Sequence, residues 1–305
     1  MKGIILAGGR GTRLYPTTNI ISKQLFPIYN KPMIYYPLST LMLAGIKDIL
    51  IISTHHDIDK FRELLGNGEK FGICLSYETQ DQPNGIAEAF LIGENFIGND
   101  DVCLILGDNV FYGKNLPIIL KKTTQSVVDN DFSTIFGFRV KDPERYGVIE
   151  FNENGQIHDI IEKPTNPPSN YAVPGIYFYD KTAVSRAENL KPSSRGELEI
   201  TDLNRTYLSD GQLQIRLFGR GVAWFDTGTS KSLHEASNFI NSIQEVQKYK
   251  IACIEEIALR QNFINKSEFK QLLSSKPDSD YKLYLEELSD EISSTSKDYI
   301  SHLQP

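Results

Sequence analysis

Gly3-Ile4-Ile5-Leu6-Ala7-Gly8-Gly9-Arg10-Gly11-Thr12-Arg13-Leu14 opens the chain as a short apolar run that breaks into glycines. The apolar part reads as a buried strand. Glycines at its end let the backbone approach a ligand closely, with N–H groups free to face phosphate oxygens. Arg13 in the loop, and Lys23 within Ser22-Lys23-Gln24-Leu25-Phe26-Pro27, add two cations beside that cradle. The reading is a nucleoside triphosphate site at the C-terminal end of the first strand of an α/β sheet. A P-loop is excluded because no Gly-Lys-Ser or Gly-Lys-Thr occurs in the chain. A dinucleotide fingerprint is excluded because Leu14 stands where its third glycine belongs.

Outward from this loop the pattern alternates. Lys2–Leu6, Asp48–Ser53, Ile73–Tyr77 and Val102–Leu106 are short runs rich in Ile, Leu and Val, as buried strands require. Ile34–Ala44, Asp57–Leu65 and Gly85–Glu94 carry helical spacing between them. The expected fold is α/β, with a mainly parallel, doubly wound, Rossmann-like sheet. Phe132–Val140, Gly147–Phe151, Ile157–Glu162 and Gly175–Tyr179 read as an inserted antiparallel portion, and the chain turns helical from Ser230. The expected division is an α/β core over 1–240, a helical segment over 241–288 and a tail over 289–305. The tail is poor in large apolar residues and reads as disordered or loosely docked.

Composition excludes several classes. A net charge of −7 over 305 residues argues against a nucleic-acid partner, which needs a basic face. No run approaches the ~18 apolar residues of a membrane span. Cys74, Cys103 and Cys253 are odd in number and set among apolar neighbours, which reads as buried free thiols in a cytoplasmic protein. His55-His56 with Asp57 and Asp59 lacks zinc spacing, and adjacent side chains do not face one ligand on a regular element, so a loop is expected there.

The glycine loop, Lys23-Gln24 and Pro27 resemble the sugar-1-phosphate nucleotidylyltransferases. The resemblance continues in Lys31-Pro32-Met33-Ile34-Tyr35-Tyr36-Pro37-Leu38, Leu106-Gly107-Asp108-Asn109, Pro143-Glu144-Arg145-Tyr146-Gly147-Val148 and Glu162-Lys163-Pro164. Arg195-Gly196-Glu197-Leu198-Glu199-Ile200-Thr201-Asp202 and Trp224-Phe225-Asp226-Thr227-Gly228-Thr229 complete it, over roughly residues 1–288. It implies a sheet of the nucleotide-diphospho-sugar transferase type. It also implies thymidylyl transfer from dTTP to glucose 1-phosphate with Mg²⁺, opening the route to dTDP-rhamnose.

The same resemblance assigns residues. Arg13, Lys23, Asp108, Lys163 and Asp226 form the expected catalytic set, with Asp108 and Asp226 as Mg²⁺ ligands. Gly8, Gly9, Gly11, Thr12, Gln24, Gln80 and Gly85 join Arg13, Lys23 and Asp108 on the nucleotide. Asn109, Tyr146, Gly147, Glu162, Lys163, Val173, Arg195 and Trp224 are expected on the sugar phosphate. Three departures stand out: Gln80-Asp81-Gln82-Pro83, Glu88 where glutamine is common, and Pro174, which lacks a backbone donor beside the sugar site. A homotetramer is implied, with a second nucleotide site at a subunit interface lined by Arg220 and Arg260. Two alternatives stay open: a UTP-using uridylyltransferase, since one methyl is worth only ~1 kcal/mol, and a non-catalytic nucleotide-sugar sensor.

Overall fold

The computed structural model describes residues 1–9 and 11–294. Strand β1 (Lys2–Leu6) lies inside the parallel half of the sheet, paired in parallel with β2 (Asp48–Ser53) on one side. Beyond β2 comes β3 (Cys74–Thr79), also parallel. On the other side β1 pairs in parallel with β4 (Val102–Leu106). The strand β5 (Asn109–Gly113) follows at once but leaves this sheet. The antiparallel portion comprises β6 (Ser133–Arg139), β7 (Gly147–Phe151), β8 (Ile157–Glu162), β9 (Tyr171–Ala172) and β10 (Ile176–Tyr179). The sheet order is β8-β7-β9-β6-β10-β4-β1-β2-β3, and β11 (Leu213–Leu217) pairs in parallel with β6. One half of the sheet is thus parallel and Rossmann-like, and the other half carries the inserted antiparallel strands.

Both faces of β1, β2 and β4 are buried, which explains their unbroken apolar runs. Ile5, Ile49, Ile51, Cys103 and Ile105 enter one core, and Ile4, Leu50, Ile52, Val102 and Leu104 enter the other. The first core is covered by α1 (Tyr35–Leu43) and α2 (Ile58–Leu65). The second lies under α3 (Glu88–Ile92). Further along come α4 (Leu116–Asn130), α5 (Ala183–Glu188) and α6 (Ile200–Ser209). Strand β12 (Val222–Asp226) pairs antiparallel with β5, placing Asp226 opposite Asn109.

Helix α7 (Ser230–Gln247) begins at a capping box, where Thr229 Oγ1 accepts from Ser232 N at 3.1 Å. The helices α8 (Ile254–Arg260), α9 (Lys266–Ser274) and α10 (Asp280–Ser294) follow. Residues Ile254, Phe269, Leu272 and Leu285 from these helices belong to the same apolar core as α1. Helix α10 continues past Leu288 to Ser294 and buries Ile292, whose carbonyl accepts from Lys266 Nζ at 2.8 Å. Residues 295–305 of the expected tail lie outside the described residues.

Two sequence expectations change. Cys74 is exposed, because it opens β3 at the sheet edge; Cys103 and Cys253 are buried. The helix expected over Gly85–Glu94 shortens to α3, because Gly85 adopts φ +115° and packs against Leu198. A Cβ at Gly85 would fall 2.3 Å from Leu198 O, so only glycine fits that turn. No helix among the described residues is long and apolar enough to cross a membrane.

Candidate active site

The C-terminal ends of β1, β3 and β4 converge where an open α/β sheet binds ligands. The glycine loop leaves β1, and Gly11 at φ +57° starts the short turn that carries Arg13. Lys23 leads a second turn beside it. Its ammonium forms an ion pair with Asp108, which follows β4. Asp108 Oδ1 accepts from Asn109 Nδ2 at 2.9 Å, and its carbonyl accepts from Thr227 N and Oγ1 at 3.1 and 2.7 Å. Thr227 therefore ties the end of β12 to the end of β4 and brings Asp226 beside Asp108.

The two carboxylates have opposite electrostatics. Burial pushes Asp108 up, but the charge and hydrogen bond of Lys23 outweigh it and hold Asp108 below its ordinary value. Asp226 is raised, by burial first and by the negative charge of Asp108 second. Arg145 Nη2 donates to Asp226 Oδ2 at 3.3 Å, and Gly228 N donates to Asp226 Oδ1 at 3.1 Å. The second contact is an ordinary Asx turn. Two oxygen-rich carboxylates facing one cleft form a donor set that fits a hard divalent cation, which takes one or two carboxylates and completes its shell from substrate.

One cleft of ≈ 180 Å³ unites Arg13, Asp108, Asn109, Tyr146, Gly147, Glu162, Lys163, Val173, Trp224 and Asp226. Asn109 is its hub: Oδ1 accepts from Trp224 Nε1 at 2.6 Å and from Gly175 N at 3.0 Å, while Nδ2 donates to Asp108. The Trp224 and Tyr146 rings meet with centroids 5.2 Å apart. At the far end Glu162 Oε1 accepts from Lys163 Nζ at 2.9 Å, and Oε2 accepts from Thr201 Oγ1 at 2.5 Å. Burial raises the Glu162 carboxyl, yet the Thr201 and Lys163 contacts leave it lowered overall. Lys163 sits at φ +42°, uncommon for a side-chain-bearing residue, and its N–H donates to Tyr146 O at 2.9 Å.

Other expected residues lie off this cleft. Arg195 turns towards Glu199, with Nη2 2.8 Å from both carboxylate oxygens, and reaches Glu162 only at 3.4 Å. Gln24 and Gln80 are buried, Gln80 beside Gly8 of the glycine loop and Gln24 against Gly107 before Asp108. A second cleft of ≈ 310 Å³, between α8 and the β5–α4 connection, is lined by Arg260, Lys114, Lys250, Glu256 and Gln247, and Arg220 is not among its lining residues. Arg260 Nε there donates to Glu256 at 2.7 Å. His55 pairs with Asp81 at 2.7 Å in the turn after β2. Sequence reasoning assigned no role to Arg145, Thr201 or Asn204, which all line the first cleft. Arg145 and Thr201 stand inside two of the quoted motifs; Asn204 carries no sequence signal.

The nucleotidyl transferase family model matches residues 2–243. Glucose-1-phosphate thymidylyltransferase from Neisseria meningitidis is 55% identical over 93% of this chain and 98% of its own length. The chain belongs to the glucose-1-phosphate thymidylyltransferases, within the nucleotidyl transferase family. The enzyme of that name from Mycobacterium tuberculosis is 50% identical, over 94% of this chain and 99% of its own length. A Bacillus anthracis protein assigned the same activity, crystallised with sucrose, is 42% identical with a TM-score of 0.71 over 78% of this chain and 94% of its own. The Bacillus anthracis protein shares the fold that positions the cleft described above.

Proposed function

We propose that the protein transfers a thymidylyl group from dTTP to glucose 1-phosphate, giving dTDP-glucose and pyrophosphate, the first step of dTDP-rhamnose biosynthesis. One observation carries the reading. Arg13, Asp108 and Asp226 line one cleft with Glu162 and Lys163, and Lys23 pairs with Asp108 behind it, so cations for two phosphate groups serve one space. The chemistry needs no general base. A phosphate monoester has a second pKa of ~6, so the attacking oxygen of glucose 1-phosphate is deprotonated at neutral pH. The difficulty is bringing two anions together and stabilising the leaving pyrophosphate. A cation 4 Å from a phosphate charge contributes up to ~4 kcal/mol at an effective dielectric of 20.

In this reading the glycine loop, Thr12, Arg13 and Lys23 hold the triphosphate, and Gln24, Gln80 and Gly85 hold the pyrimidine. Lys163 holds the sugar phosphate, Glu162 accepts a sugar hydroxyl, and Tyr146, Gly147, Val173 and Trp224 wall the sugar. Asn109 orients Trp224 and Asp108 together. Arg195, engaged by Glu199, steadies Glu162 from the rim. Asp108 and Asp226 would hold Mg²⁺, which when bound neutralises phosphate charge. The same reading makes the protein a cytoplasmic homotetramer and gives the second cleft, with Lys114, Lys250 and Arg260, to a regulatory nucleotide at a subunit interface.

Purified protein supplied with glucose 1-phosphate and either dTTP or UTP, assayed for pyrophosphate, tests the reading. Faster release with dTTP is expected. Faster release with UTP makes it a uridylyltransferase, and no release with either makes it a sensor.

A further inference from the structure

We propose that Glu88 is a positioning residue that sets the base class this enzyme accepts, by locking the side-chain amide of Gln80 in one of its two orientations. The inference rests on the function proposed above. Gln80 is buried, just beyond β3. Its Nε2 donates to Glu88 Oε2 at 2.7 Å and to Gly85 O at 3.3 Å. The other Glu88 oxygen, Oε1, accepts from Asn84 Nδ2 at 2.8 Å.

A carbonyl oxygen and an ionised carboxylate can only accept. Both partners on the α3 side therefore demand the NH₂ edge of Gln80. The opposite edge, Oε1, is turned to the glycine loop: a Cβ placed on Gly8 would lie 2.9 Å from it. The group offered on the loop side is thus an acceptor. It matches a pyrimidine whose ring N3 carries a proton, as in thymine and uracil, and opposes cytosine, whose N3 is itself an acceptor. Of the two contacts that hold this orientation, the shorter one involves a charge and is the stronger. Without Glu88 a single 3.3 Å bond to Gly85 O remains, and the amide can rotate to present NH₂ instead.

The experiment compares wild type, Glu88→Ala and Glu88→Gln with glucose 1-phosphate and either dTTP or dCTP, alongside binding of dTDP and dCDP in the absence of chemistry. The wild type releases pyrophosphate with dTTP; its failure to do so overturns the function, not this inference. For Glu88→Ala the kcat/KM ratio of dTTP over dCTP falls about tenfold, the size of one lost charge-assisted hydrogen bond. The change appears in the KM for dTTP, while kcat and the KM for glucose 1-phosphate stay as in the wild type. Glu88→Gln retains shape and can accept or donate, so its ratio lies between the two. If Glu88→Ala does not fold, Glu88→Gln alone decides. A dTTP:dCTP ratio equal to that of the wild type, or an equal loss of dTDP and dCDP affinity, overturns the proposal.

Discussion

The two ends of the active-site cleft are built on different principles. The nucleotide end is mostly backbone: glycines after β1, a turn at φ +57°, and one part-buried ion pair between Lys23 and Asp108. The sugar end is a closed side-chain network. Glu162 there holds Lys163, Thr201 and Arg195, while Arg195 also holds Glu197 and Glu199. A backbone cradle is local in sequence and leaves a compact motif. A side-chain network draws on β8, α6 and the segment before it, and its partners are apparent only when folded. At the first end Gly8 and Gly11 leave no room for a side chain, and at the second every charge has a partner of opposite sign.

The contrast is broken most severely where the ends meet. Asp108→Asn and Asp226→Asn each remove one carboxylate while keeping shape, and turnover is expected to fall at least ~100-fold, about 2.7 kcal/mol of barrier. Rates measured against Mg²⁺ concentration check this. Near-normal turnover in Asp226→Asn would reduce that residue to the turn it makes with Gly228.

Gly85→Ala attacks the turn, bonded to Leu198 through Asn84 and Ala87, that packs on the segment carrying Arg195. A Cβ there meets the Leu198 backbone at φ +115°, and a stability loss of about 2 kcal/mol is expected. Thermal unfolding and the KM for dTTP should worsen together. Lys163→Ala sharpens the contrast instead: the KM for glucose 1-phosphate rises about tenfold, ~1.4 kcal/mol, with the KM for dTTP unmoved. Equal changes in both constants would show that the two ends do not divide the substrates.

The smallest effect lies outside the cleft. Lys31 is buried where its Nζ donates to Ile251 O and Asn30 Oδ1, both at 2.7 Å. Burial lowers it to about 8 from 10.5. Between those values the unfolded chain keeps the proton that the folded chain has released. Raising the pH through this window therefore stabilises the fold, by about 1 kcal/mol between pH 8 and 9. Denaturant melts of wild type and Lys31→Met across that range should differ in slope, and parallel curves would contradict the burial argument.

What was legible in the sequence follows the same division. Lys2–Leu6, Asp48–Ser53, Val102–Leu106 and Gly147–Phe151 have the expected bounds, because a strand buried on both faces is a plain apolar run and a half-buried one is bounded by turns. The helix over Gly85–Glu94 was over-read because its periodicity continues through a turn that a distant backbone, Leu198, holds open. Arg145 and Asn204 were passed over for a related reason. Their cleft positions depend on β12 and on β10, elements far away in the chain. Arg195 shows the converse, a motif residue whose guanidinium the fold directs to Glu199.

Helix α7 joins the neighbourhoods of the two clefts. It starts four residues after Asp226, and its last residue, Gln247, lines the second cleft. Eighteen helical residues make a rod about 27 Å long, capped at its start and uninterrupted by proline. One stiff helix thus runs from just past the turn that holds Asp226 to the wall of the second cleft, so a tilt or slide of that helix shifts Gln247 and the Asp226 turn together.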